Sequence, residues 1–475
     1  MKQAGSANPI PLGERIAFGI GMLANQMFPA ALSIFMVILV QSLGMSPFLW
    51  GLVFFLPKLV DCVTDPLMGF ISDRTVSQWG KRRPYIFIGA ILSGLSYVAM
   101  WQLSAEDGEM YNFFYFLCWS CIFFVALTIF SVPYVAMGYE MSDDYHERTR
   151  LMALAQWIGQ WAWVIAPWFW VVLYDPTWFE SATDGARTLS IWVGGTCMLL
   201  AMVPAVFCRS RGTTEAAPTS AGKDAATATL RELLNGILVT LRCRPFQQIC
   251  IATFFIFNAY NTVAGFAWFI IVYYMNQGDP ALAGNWPTLF GSVSALCTCF
   301  LVIPTINWMA QRHGKRVTFM ITQSVSILGY IGFWWSFNPA NPYLMFAPIP
   351  IFAFGIGGLF TLMMSMTADI CDLDELETGE RREGLFGAIY WWMVKFGLAF
   401  AGLLSGLILG LIGFDQTVAV QTDDTLALLR MAFIAVPVSG TFVALWAMRD
   451  YELDEEAVRE LKTLLVKRRV QVGAH

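Results

Sequence analysis

Asp61 and Asp65 are the first residues of this sequence with clear chemical potential. They lie four apart within the apolar run VDCVTDPLMGF, so a helix presents both carboxylates on one face. An aspartate at the centre of a membrane helix costs about 2.5–3.5 kcal/mol on insertion scales, and two ionised neighbours also repel each other. Such a pair persists when a basic neighbour, a proton or a metal cation neutralises it. Lys58, three residues before Asp61, supplies partial compensation but cannot easily serve both acids. A small cation between them fits, because hard cations take oxygen ligands. Thr64 stands beside Asp65, and Thr128 in a later apolar run offers another hydroxyl oxygen. The alternative is a salt-bridge cluster near a helix end, where Pro66 and Gly69 permit a bend.

Other polar groups also occupy greasy surroundings. Lys395 is a lone lysine in YWWMVKFGLAF, at least some ten residues from either end of its run. A buried ammonium there needs a partner unless it snorkels to an interface. Asn25 and Gln26 share one run, Gln156, Gln160 and Trp163 recur on one face of another, and Asn258, Asn261 and Thr262 lie in a third. Each can bond helix to helix; together they point to a polar cavity.

The elements that must position these residues are membrane spans. Hydrophobic residues make up 57% of the 475, and only 13% are charged, against roughly 25% in soluble domains. The chain therefore reads as an all-α, polytopic membrane protein. Its net charge of −5 offers nothing to a nucleic acid. Twelve apolar windows predict spans near 16–40, 48–72, 84–103, 111–138, 151–174 and 188–207, then 249–276, 287–310, 317–337, 342–367, 385–413 and 425–448. The expected units are an N-terminal bundle (1–207), a linker (208–248), a C-terminal bundle (249–448) and a tail (449–475). The linker opens polar and small, then continues as TLRELLNGILVTLRCRPF, whose periodicity predicts an amphipathic surface helix. The polar N-terminus is too short for a signal peptide, so the first span is expected to act as an uncleaved insertion signal.

Of the 29 basic residues, all but Lys58, Arg187, Lys395 and Arg430 fall in the even-numbered loops, the linker and the two tails. That bias predicts both termini in the cytoplasm. The halves also echo each other. WGKRRPY after the second span matches HGKRVTF after the eighth, and EMSDDYHERTRL after the fourth matches DICDLDELETGERREGL after the tenth. Two loop pairs at nearly equal offsets indicate a duplicated six-helix unit. The cysteines, including the closely spaced pairs Cys118/Cys121 and Cys297/Cys299, lie mostly in apolar segments and read as small packing residues.

The stretch from Asp61 to Tyr85, D-x-x-x-D-P-x-x-G-x-x-S-D-R-T-x-S-x-W-G-K-R-R-P-Y, resembles the signature of the glycoside–pentoside–hexuronide:cation symporters. These form the branch of the major facilitator superfamily typified by melibiose carriers. TIFSVPYVAMGYEMSDDYHERTRL (128–151), ADICDLDE (368–375) and GAIYWWMVKFG (387–397) extend the resemblance over nearly the whole chain. It implies two pseudo-symmetric six-helix bundles working by alternating access. It also implies a cation site at Asp61, Thr64, Asp65 and Thr128, with threonine where melibiose carriers have asparagine, which leaves sodium, lithium and proton open. Lys395 matches a lysine near the meeting of sugar and cation sites and is expected to link the two, and Trp391 and Trp392 can stack on a sugar's apolar face. The carboxylates that hold sugar hydroxyls in melibiose carriers are matched here by Gln26 or Asn25 and by Ser131, and the helix-5 arginine by Gln156, so galactoside specificity does not carry over. Lys58, Asp73, Arg74, Arg148, Asp369 and Asp372 are expected to pair at helix ends and gate the conformations, besides setting topology.

The expected activity is symport of a sugar or glycoside with Na+ or H+ as coupling ion, in a bacterial inner (plasma) membrane, by a monomer without cofactor. No G-x-x-x-x-G-K-[ST] is present for nucleotide-driven transport. A lysolipid or other amphiphilic solute in the same fold is the alternative. A receptor fits poorly with an intact acid pair, and an enzyme fits poorly because the three histidines, His146, His313 and His475, lie in loops or the tail.

Overall fold

Long apolar runs without water must satisfy every backbone amide internally, and in the computed structural model they do so as helices. The structure describes residues 10–75, 77–141, 145–175, 177–208, 242–378, 383–415, 418, 420–453, 456–461 and 463–464. Its elements are α1 (Leu12–Gln41), α2 (Pro47–Arg74), α3 (Arg83–Met100), α4 (Glu109–Glu140), α5 (Tyr145–Ile165), α6 (Trp168–Tyr174) and α7 (Ala182–Phe207). They continue as α8 (Arg244–Ala264), α9 (Trp286–Cys297), α10 (Ile303–His313), α11 (Lys315–Ser336), α12 (Ile349–Thr378), α13 (Glu383–Leu411) and α14 (Asp423–Met448).

Eleven spans among the described residues are long and apolar enough to cross a membrane. The remaining expected span, 151–174, is made by two helices, α5 and α6, with Pro167 capping the second. Proline lacks the amide that would continue the ladder, which accounts for the break. Two further spans are irregular. π-helical turns occupy Ile270–Met275 beyond α8 and Thr298–Val302 between α9 and α10. The amphipathic helix expected in the linker covers 229–246; of these, 229–241 lie outside the described residues, and the stretch from Arg244 opens α8.

The chain divides into two compact units. One comprises 1–219, 279–295 and 415–419, the other 220–278, 296–414 and 420–475. In the first, α1 packs on α5 and α7, α3 on α4 and α7, and α2 on α4. In the second, α8 packs on α13 and α14, α11 on α12 and α14, and α10 on α12. Counted as spans, the second scheme repeats the first with every helix advanced by six, which is the duplication that the loops announce. The loop glycines repeat as well: Gly80 has φ +87° and Gly314 φ +77°, a region in which a Cβ is strained.

Each unit has its own core. In the first, Phe18, Ile86, Phe130, Tyr134 and Leu151 are fully buried. The Tyr134 ring stacks on Phe18 at 4.6 Å, and its hydroxyl donates to the Phe18 carbonyl at 2.5 Å. In the second, Phe246, Phe319, Met363, Phe386 and Ala444 lie in one cluster.

Candidate functional site

α2 presents two kinds of face. Val63, Leu67 and Ile71, spaced one turn apart, are exposed, as befits a lipid-facing stripe. Asp61, only 7% exposed, turns instead toward α4, as does Asp65. There the Thr128 hydroxyl donates to Asp61 Oδ1 at 2.9 Å and to Asp65 Oδ1 at 3.0 Å. Thr64 Oγ1 lies 3.3 Å from Thr128 Oγ1 and also 3.3 Å from the Asp61 carbonyl. Oxygens of all four residues proposed from sequence therefore gather around one buried hydroxyl.

The distances set the electrostatics. Two carboxylate oxygens that both lie within 3.0 Å of Thr128 are no more than about 6 Å apart. At an effective dielectric of about 20, two unit charges at that separation repel by about 3 kcal/mol. Thr128 has a single proton to share between the two acceptors. The arrangement favours a positive ion, and its donors are hard oxygens of the kind that alkali cations prefer.

Beside this cluster, Lys58 Nζ lies over the Phe124 ring, 4.1 Å from its centroid. Phe124 stands one turn before Thr128 on α4, and Lys58 nearly one turn before Asp61 on α2. The contact went unseen in the sequence, because nothing distinguishes Phe124 from the other 37 phenylalanines until the two helices are placed in register.

The candidate solute residues occupy both units. On α1, Gln26 accepts a 3.1 Å hydrogen bond from Trp163 Nε1 of α5, and Asn25 Nδ2 reaches Met22 Sδ at 3.8 Å. Gln156 on α5 is exposed and Ser131 on α4 is half-buried. On α13, Trp391 is 45% exposed, while Trp392 and Lys395 are half-buried. Trp392 meets Phe396 edge-on, with centroids 6.3 Å apart.

Helix ends near the basic loops carry ion pairs. Arg82, 5% exposed, donates to Ser72 Oγ at 2.5 Å and to Glu140 Oε1 at 2.9 Å. Lys81 meets the same carboxylate oxygen at 2.9 Å. Burial pushes the Glu140 carboxyl up, but hydrogen bonds and charge from Arg82 and Lys81 outweigh it and hold the group below the usual value. In the second unit Lys315, the sequence counterpart of Lys81, pairs with buried Asp369 at 2.5 Å and donates to the Ser365 carbonyl. Asp372 is half-buried on the same helix. The side chains of Asp73, Arg74 and Arg148 lie outside the described residues. Sequence reasoning did not single out Arg82 and Glu140, although a basic loop opposite an acidic helix end was the available signal. It also left Arg430 unexplained. Its guanidinium is sandwiched 4.2 Å from the Tyr274 ring and 4.4 Å from the Trp334 ring, and donates to the Trp334 carbonyl.

A duplicated set of six spans, with a compact acid pair in one unit, defines a class of membrane transporters. The MFS/sugar transport protein family matches residues 17–455, and the chain belongs to it: it is a cation symporter of the major facilitator superfamily. Among relatives, it is 26% identical to the inner membrane symporter YicJ of Escherichia coli over 95% of this chain and 94% of that one. It is 24% identical to the glucuronide carrier protein homolog of Escherichia coli, covering 94% and 93%. It is also 23% identical to the sodium-dependent lysophosphatidylcholine symporter 1-A of Danio rerio, covering 96% and 88%. The fold matches a bacterial homolog of the lysosomal transporter Spinster, with a TM-score of 0.66 and 14% identity over 94% of this chain and 98% of that one. It also matches the Escherichia coli xylose transporter XylE, with a TM-score of 0.61 and 15% identity over 93% and 99%.

Proposed function

We propose that this symporter couples movement of a sugar or glycoside to a monovalent cation, Na+ or H+, held by Asp61, Thr64, Asp65 and Thr128. The observation that carries the reading is the buried Thr128 hydroxyl, within 3.0 Å of both carboxylates. Two acids so close are held together at a standing electrostatic cost, which an arriving positive charge removes. Binding energy of cation and solute together then shifts the balance between inward- and outward-open states. Asn25, Gln26, Ser131, Gln156, Trp391 and Trp392 form the proposed solute set. Uncharged amides and hydroxyls suit sugar hydroxyls, and the indoles suit a sugar's apolar face. Lys395 is the proposed link between solute and ion, while Lys58, Asp73, Arg74, Arg148, Asp369 and Asp372 serve coupling and gating. The relative named an inner membrane symporter and the distribution of basic residues support placement in a bacterial inner membrane with both ends cytoplasmic.

A lysolipid is the second reading. Similarity along 96% of the chain to a lysophosphatidylcholine symporter, and a proposed solute set without a carboxylate, favour it. Uptake into proteoliposomes separates the two. A panel of labelled glycosides and lysophospholipids is offered under imposed sodium, lithium and proton gradients in turn. Gradient-dependent accumulation of a glycoside supports the sugar reading, and accumulation of lysophospholipid alone transfers the assignment to lipid.

A further inference from the structure

Charge counting at the acid pair leads past the identity of the solute. Between Arg15 and Asp73 only Lys58, Asp61 and Asp65 are charged, and α4 carries no charge from Met110 to Tyr139. Away from the charged ends of these helices, α2 thus carries one positive and two negative groups and α4 none. The Lys58 ammonium is held at a defined place, with Nζ 4.1 Å from the centroid of Phe124, whose ring is 4% exposed. Phe124 and Thr128 lie one turn apart on α4, so one face of that helix fixes both the ammonium and the carboxylates.

Resting on the cation-site reading above, we infer that Lys58, positioned by the Phe124 ring, is a tethered counter-charge that restricts the site to a single monovalent cation and excludes divalent ones. Two carboxylates alone present a charge of −2, which Ca2+ or Mg2+ would fill with oxygen ligands that suit them equally well. Among the charges of α2 the fixed ammonium reduces the sum to −1, which one Na+, Li+ or H+ balances. Repulsion from a fixed charge scales with the charge of the entering ion, so Lys58 disfavours a divalent ion twice as strongly as a monovalent one. Phe124 acts through Lys58. An ammonium over an aromatic face is held by the ring quadrupole, which a leucine of similar bulk does not supply.

The test is binding of radioactive sodium to the purified full-length protein, with calcium chloride as competitor. In the wild type, calcium displaces sodium only at concentrations far above those of sodium itself. Lys58→Met lowers the calcium concentration needed, relative to sodium, by about tenfold or more, while Lys58→Arg does not. Phe124→Leu shifts the ratio the same way by roughly threefold, and Phe124→Tyr, which keeps a ring, restores it. Sodium binding in Lys58→Met with unchanged calcium competition overturns the inference and leaves the cation site standing. If Lys58→Met binds no sodium, the Phe124 pair decides: equal ratios in Phe124→Leu and Phe124→Tyr overturn it. Sodium binding that survives in Asp61→Asn and Asp65→Asn overturns the cation-site reading itself, and this inference with it.

Discussion

Thr128 is the residue on which the acid pair turns. Replacing its hydroxyl by a methyl group in Thr128→Val keeps the shape but removes the proton shared between Asp61 and Asp65, and one oxygen from the cluster. A missing oxygen ligand weakens a hard-cation site, so apparent cation affinity in Thr128→Val is expected to fall by roughly tenfold, with Thr128→Ser near wild type. Cation titration of solute uptake measures this. Asp61→Asn and Asp65→Asn are expected to abolish gradient dependence while solute binding persists; unchanged accumulation in both would remove the coupling role. At this scale the sequence was informative where chemistry and spacing coincide. Two aspartates one turn apart in an apolar run need no third dimension to be noticed. Phe124 and Arg82 did need it, because their significance lies in a partner on another helix.

Among elements, the α2–α3 loop and the end of α4 form a unit joined by Lys81, Arg82, Ser72 and Glu140. Arg82 is the buried member, so removing its partner leaves a desolvated guanidinium. Glu140→Gln is expected to destabilise by about 2 kcal/mol, read as a fall in thermal midpoint in detergent. The pH dependence follows from the lowered Glu140 carboxyl. Its contribution is complete above the ordinary carboxylate value of 4.5 and is lost as pH falls through the depressed native value. The wild-type advantage over Glu140→Gln should therefore shrink only in acid below that range. Gly80 sets the entry to α3 at φ +87°. Gly80→Ala is expected to cost roughly 1 kcal/mol, with Gly314→Ala similar because φ is +77° there; comparison of melting in the two variants checks the repeat. Span positions were legible because some twenty consecutive apolar residues have few alternatives to a helix. The break at Pro167 and the π-helical turns were not, since they register how a helix meets its neighbours.

For the whole molecule, coupling requires that solute and ion be bound and released in one cycle. Lys395 is the proposed link, so Lys395→Met is expected to retain solute exchange across the membrane at equal concentrations while losing concentrative uptake. Exchange needs only binding and reorientation, whereas accumulation needs the free energy of the ion to be passed to the solute. Paired counterflow and gradient-driven uptake measurements check this, and full accumulation in the variant removes Lys395 from the coupling path. The sequence by itself determined that the chain is a duplicated set of membrane helices, that basic residues mark one face, and that two acids sit where water is scarce, because each of these follows from local composition, period or count. Tertiary structure decided that Thr128 bridges those acids, that Phe124 receives Lys58, and that Glu140 and Asp369 take the loop lysines. These depend on the register of one helix against another, and side-chain packing and distance fix that register where linear spacing cannot.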